Sequence, residues 1–189
     1  LLLGSLVLRP YVFLFLLVFL LAGVRDLGAR RTALFLAWVW PLALLAELAS
    51  TRIGIPFGLY HYTGATRGRE LFLADVPFFD SLSFTFLAYA SFSLARRVLL
   101  ASSGRTRQPS GRATARVPAS PVTVALLSGG LMMLLDVGID PVAVRGDRWF
   151  LGRIFWYPDG GPYFGVPLSN FAGWWLVGTA GAGGYLWLA

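Results

Sequence analysis

Glu47, Asp80, Asp136, Asp140 and Asn170 stand inside or at the edges of long apolar runs, in a 189-residue chain with only nine acidic side chains. A carboxyl group in apolar surroundings favours its neutral form, because losing water disfavours charge. Such a group can hold a proton at neutral pH and act as a general acid. Asp136 and Asp140 are four apart and would share a helix face if a helix persisted that far. Gly138 and the Asp140-Pro141 pair argue against it, since the residue before a proline is pushed out of the α region. Taken singly, each polar group is equally well explained as an interfacial anchor or an interhelical hydrogen-bond partner. Taken together they favour a site, because a carboxylate in hydrocarbon costs at least ~2.5 to 3.5 kcal/mol and normally faces a bundle interior or a cavity. Arg52 could pair with Glu47, or snorkel to an interface. His61 is the only histidine, and the chain has no Cys, so no metal site is expected.

The elements that must carry these residues are apolar helices. The chain is 57% hydrophobic, with 15 Phe, 7 Tyr and 7 Trp, and its charge-free runs match the roughly 20 residues that cross a bilayer core. A soluble domain built on one core would need polar faces that these runs lack. Five spans are expected, at about Leu6 to Val24, Thr32 to Ser50, Pro77 to Leu99, Ser120 to Val137 and Val166 to Leu188. The first is kept as a span and not a signal peptide, because arginines, not a small-residue cleavage site, follow it. Residues 51–76 follow no helix or strand period and read as an irregular or re-entrant loop. Residues 101–119, rich in Ser, Arg, Gly and Pro, read as a flexible cytoplasmic linker within a single 1–189 membrane domain. The expected fold is therefore all-α, a polytopic transmembrane bundle.

The formal charge of +7 comes from sixteen arginines and no lysine. They sit between apolar runs, where topology signals belong, and not on one basic face, so nucleic-acid binding is not expected. Nine of the sixteen follow the first and third spans, at Arg25, Arg30, Arg31, Arg96, Arg97, Arg105, Arg107, Arg112 and Arg116. The positive-inside rule makes those two loops cytoplasmic. Glu47 ends the second span, Asp80 starts the third, Asp136 ends the fourth and Asn170 starts the fifth. All four then approach the opposite face.

Two runs carry a resemblance. The first is Glu47, then Thr51-Arg52-Ile53-Gly54-Ile55-Pro56-Phe57-Gly58-Leu59-Tyr60 and Tyr62-Thr63. The second is Asp136 with Asp140-Pro141, Trp149, Gly161, Tyr163-Phe164-Gly165-Val166-Pro167-Leu168-Ser169-Asn170-Phe171 and Gly173-Trp174, with Val76-Pro77 between the two runs. The pattern, over roughly residues 40 to 180, resembles the bacterial and archaeal carotenoid biosynthesis membrane proteins that include bisanhydrobacterioruberin hydratase and γ-carotene 1'-hydratase. The resemblance implies an integral protein of the prokaryotic cytoplasmic membrane. Its activity would be addition of water across the terminal C1–C2 double bond of an acyclic carotenoid, giving a tertiary alcohol without a cofactor. The expected partners are the carotenoid and membrane lipid, and a homo-oligomer is compatible with the sequence.

Hydration of that kind needs an acid, a cradle for a tertiary carbocation and a positioned water. Asp136 or Asp140 is the expected acid, with Glu47 and Asn170 orienting the water and Asp80 a further candidate. Tyr60, Tyr62, Trp149, Tyr163 and Trp174 suit a cation cradle; each ring alone fits a headgroup belt as well. Two other readings use the same features. A carbocation-type end-group cyclase or isomerase would exclude water, and a non-catalytic carotenoid or lipid carrier would need no convergent carboxyls.

Overall fold

A computed structural model describes residues 1–102, 120–147, 149 and 151–189. Among the described residues there are six helices: α1 (Leu2–Leu8), α2 (Pro10–Leu27), α3 (Ala29–Ile53), α4 (Phe78–Ser102), α5 (Pro121–Arg145) and α6 (Leu168–Leu188). Four of them, α2 to α5, are long and apolar enough to cross a membrane. The fifth expected span, α6, is 21 residues long and carries no charged side chain, but it is not among those four. The molecule is a polytopic helical bundle. Large apolar side chains such as Leu14, Leu17, Leu21 and Leu134 stay exposed on its outer faces, where contiguous apolar surface marks contact with something other than water.

The first expected span is corrected at its start. The chain breaks at Arg9 (φ −126°, ψ 50°), and α2 begins with Pro10 at its first position, where the missing N–H is harmless. Only Gly28, at φ 86°, separates α2 from α3, so Arg25, Arg30 and Arg31 lie in helix ends. The expected linker is helical at residues 101–102, and its remainder lies outside the described residues.

The expected end of the fourth span at Val137 is also corrected. α5 runs through Pro141 to Arg145. A proline inside a helix removes one backbone hydrogen bond and crowds the carbonyl four residues back. The helix absorbs that local defect and ends where Gly146 takes the left-handed conformation (φ 74°). α3 ends the same way at Gly54 (φ 73°), the common glycine stop for a helix.

Residues 51–76 are not wholly irregular. Residues 51–53 close α3, and the loop holds β1 (His61–Tyr62), β2 (Phe72–Leu73) and the start of β3 (Val76–Pro77). β2 pairs with β3, while β1 pairs antiparallel with β4 (Phe155–Trp156), with Tyr62 opposite Phe155. Thr63 N–H adds a bond to the Ile154 carbonyl at 2.8 Å. The two long loops on this side of the bundle are thus stitched together above the ends of α3 and α5.

α5 and α6 form the most extensive helix pair. Gly129 and Gly178 face each other there, and a Cβ on Gly178 would lie 3.0 Å from the Gly129 Cα; small residues at such a crossing let backbones approach closely. On the side away from the stitched loops, Phe35 makes edge contacts with Tyr89 and Tyr185 at 5.8 and 5.0 Å between centroids, filling the bundle centre with rings.

Candidate functional site

The helix ends and stitched loops enclose a cavity of about 250 Å³. Its polar wall includes Glu47 from α3, Asp80 from α4, Asp140 from α5 and Asn170 from α6. Four of the five expected acid-site residues therefore meet on one space. The fifth, Asp136, does not line it, but stands one helical turn behind Asp140.

The persistence of α5 through Pro141 decides the geometry of the pair. Four residues of helix bring Asp136 and Asp140 onto one face, and the Asn170 side-chain amide donates to both. The distances are 2.6 Å to Asp136 Oδ2 and 2.8 Å to Asp140 Oδ2. Tyr157 O–H adds a third hydrogen bond, to Asp140 Oδ2 at 3.2 Å. Asp136 is fully buried, and its Oδ1 has no hydrogen-bond partner among the described residues.

Glu47 has a different setting. It is buried, and Tyr62 O–H donates to its Oε1 at 2.7 Å. Its Oε2 has no partner among the described residues. Burial first, and the neighbouring Glu47 carboxyl second, push the Tyr60 and Tyr62 hydroxyls well above the ordinary phenol value. Burial followed by Asp140 does the same to Tyr157. All three phenols therefore keep their protons at neutral pH, and Tyr62 and Tyr157 donate theirs to Glu47 and Asp140.

Asp80 is not a free acid. Arg9, fully buried at the break before α2, bonds its Nη1 to Asp80 Oδ1, while Nε and Nη2 reach Glu70 at 2.5 and 3.1 Å. Burial opposes the Arg9 charge, but Asp80 and Glu70 outweigh it and raise the guanidinium above its ordinary value.

Of the two readings left open for Arg52, pairing with Glu47 is not the one found. Five residues of helix separate them by about 140° around the axis, so they leave on different faces. Arg52 is exposed and binds Asp75 Oδ1 at 2.9 Å and the Leu48 carbonyl at 2.8 Å. It is not among the cavity-lining residues.

The rest of the wall is aromatic. Tyr60, Tyr62, Trp149 and Trp174 of the expected cradle line the cavity. Tyr163 does not; it packs edge-on against Phe164 and Phe171. Tyr60 is buried among Tyr62, Tyr157 and Phe155, with ring centroids 5.5 to 5.9 Å apart. Trp174 stacks on Phe84 at 4.4 Å with 16° between the planes. His61 is exposed beside Trp156, 5.7 Å between ring centres. Among the described residues no three His, Cys, Asp or Glu side chains gather as metal ligands would.

Sequence reasoning missed Arg9, Tyr11, Glu70, Phe57, Phe84, Phe155 and Tyr157. A lone arginine in an apolar segment is a signal that marks buried function or pairing, and Arg9 carried it. Nothing in sequence separates Tyr157 from its aromatic neighbours Phe155 and Trp156, because strand pairing, not periodicity, decides which ring turns inward.

The family model described as "Carotenoid biosynthesis protein" matches residues 8–188. Bisanhydrobacterioruberin hydratase of Haloarcula japonica is 34% identical over 161 residues, covering 85% of this chain and 46% of that protein. The chain thus spans about half the length of this relative. No solved structure matches.

Proposed function

Because this chain belongs to the carotenoid biosynthesis protein family, we propose that its cavity adds water across the terminal C1–C2 double bond of an acyclic carotenoid, giving a tertiary alcohol. The observation that carries this reading is the convergence of two differently held carboxyl sites on one aromatic cavity, Asp136–Asp140–Asn170 on one side and Glu47–Tyr62 on another. An apolar binding pocket alone would have no use for them, which weighs against a passive carrier.

The Asp136 and Asp140 carboxyls hold one proton between them, since two adjacent carboxylate anions on one amide would repel. Asp140, on the cavity wall, delivers that proton to C2. The alkene π pair forms the new C–H bond and leaves C1 as a tertiary cation. Ring faces attract such a cation by ~0.5 to 2 kcal/mol or more when desolvated, and Tyr60, Tyr62, Trp149 and Trp174 supply them. A water held by the unpaired Oε2 of Glu47 donates a lone pair to C1 and loses a proton to that carboxylate. Glu47 then releases its proton to solvent and the aspartate pair takes one back, so the sum is alkene plus water to alcohol. Tyr62 fixes Glu47 throughout, and Asn170 and Tyr157 fix Asp140.

A cavity of about 250 Å³ is smaller than the roughly 300 to 1,000 Å³ of pockets that enclose a drug-sized ligand. Only the tip of a long polyene would enter, with the remainder in lipid. The site would therefore read the end group and tolerate variation along the chain. The expected setting is the cytoplasmic membrane of a prokaryote.

The test is expression in a bacterium that accumulates an acyclic carotenoid, with pigments analysed by mass spectrometry. The expected product is heavier by one water; a product of unchanged mass would point to cyclisation or isomerisation and overturn the hydration step. Asp140→Asn and Asp136→Asn should abolish the product while the protein remains folded in the membrane. Undiminished conversion by Asp140→Asn would remove that carboxyl from the reaction.

A further inference from the structure

We infer that Arg9 is a positioning residue: locked onto Glu70, it sets the Asp80 carboxyl on the cavity wall and so orients the negative side of the site toward the cationic end group. The inference rests on the hydration reading above.

A buried guanidinium is tolerated only when its donors are paired, and the way Arg9 is paired is informative. Nε and Nη2 grip both oxygens of Glu70, which fixes the guanidinium plane. That leaves Nη1 and the outer edge of Nη2 for Asp80, and Nη1 also meets the Tyr11 hydroxyl at 3.4 Å. Glu70 does not line the cavity, whereas Asp80 and Tyr11 do. Glu70 is the anchor, and the cavity groups are what it holds in place.

The three charged residues come from the α1–α2 junction, the loop before β2 and the first turn of α4. One carboxylate would balance the charge of the guanidinium, although it takes both to tie all three segments. A second carboxyl leaves a formal excess of negative charge in apolar surroundings. That excess is useful where positive charge develops nearby, since preorganised charge acts most strongly in a dry site. A lysine could not replace the arginine, because one ammonium lacks the planar fork that orients two carboxyls at once.

The experiment compares wild type with Arg9→Lys, Glu70→Gln, Asp80→Asn and the Arg9→Lys/Asp80→Asn double variant. All are assayed in carotenoid-bearing membranes for kcat and KM of the water-added product, with thermal unfolding as the measure of folding. Arg9→Lys is expected to lower kcat on the order of 100-fold, as misplacing a catalytic group by about 1 Å does, and to change KM by less than about threefold. The double variant should be no slower than Asp80→Asn alone, since Arg9 acts through Asp80. Glu70→Gln keeps the side-chain volume and should lower kcat in the same direction, so the test survives if Arg9→Lys does not fold. Wild-type kcat in both Arg9→Lys and Glu70→Gln would overturn the inference. So would losses that simply multiply in the double variant, or an effect confined to KM. A wild type that adds no water would sink the hydration reading and this inference with it; an active wild type with indifferent variants would sink the inference alone.

Discussion

Replacing Asn170 by Leu keeps the size of the side chain and removes the one amide that joins both aspartates. Asn170 is almost fully buried, and its two bonds, at 2.6 and 2.8 Å, are the shorter ones in the cluster. The loss falls unequally on the two acids. Asp140 Oδ2 keeps the Tyr157 hydroxyl at 3.2 Å, whereas Asp136 Oδ1 already has no hydrogen-bond partner among the described residues, so the variant strips the Asn170 bond from its other oxygen. Leaving a buried acceptor unsatisfied costs about 1 to 3 kcal/mol, while measured interhelical hydrogen bonds in a membrane protein average only about 0.6 kcal/mol. With one acceptor wholly and one partly stranded, roughly 2 kcal/mol is the expected loss of stability. Activity should suffer more than stability, because the acid loses its aim: on the order of 100-fold in turnover. Thermal unfolding in detergent and product formation in carotenoid-bearing membranes read the two effects separately. Turnover within about threefold of wild type, in a protein destabilised by the stated amount, would show that Asn170 only packs the bundle and would refute the role given to it.

Three further outcomes follow from the same contacts. Tyr62→Phe removes the donor 2.7 Å from Glu47 and should slow conversion about tenfold, the rate equivalent of one hydrogen bond of about 1.4 kcal/mol, with little loss of protein from the membrane. In Gly173→Ala the new methyl would lie 2.7 Å from both the Pro56 carbonyl oxygen and the Phe57 ring. Overpacking of this kind costs typically about 1 to 3 kcal/mol, so a lower unfolding temperature and slower turnover are expected together. Arg52→Ala removes an exposed ion pair with Asp75, worth about 0 to 1 kcal/mol, and the local bonds to Leu48 and Thr51; pigment analysis should find wild-type conversion, and a large loss would return Arg52 to the site.

The helices were legible because each is a run of apolar residues long enough to cross hydrocarbon, and their polar ends were legible because an acid is conspicuous there. What sequence could not supply was tertiary. The break at Pro141 was expected from the local preference of Asp140, yet α5 continues to Arg145, and Asp140 is held within the helix against Asn170 and Tyr157. Local propensity was outweighed by contacts from α6 and the following loop. The Glu47–Arg52 pairing failed for a simpler reason, since five residues of helix point two side chains apart. Arg9 was overlooked because a hydropathy window averages one charge into its neighbours, while its partners Glu70 and Asp80 lie 61 and 71 residues away.

A hydration site has to hold a proton donor and a proton acceptor near one substrate without letting them neutralise each other. Equivalent carboxyls in equivalent surroundings could not do so, because they would share protons equally. Here the surroundings differ in kind: Asp140 meets a second carboxyl and two neutral donors, Glu47 meets one phenol and keeps an oxygen open, and Asp80 is gripped by a guanidinium. Environments that separate the behaviour of titratable neighbours are what assign acid and base roles. The β1–β4 pairing is what makes that separation possible in this fold, for it carries Tyr62 to Glu47 from one loop and Tyr157 to Asp140 from the other. Opening that two-residue ladder would remove both phenols at once, which is why the stitched loops, more than any single helix, define the site.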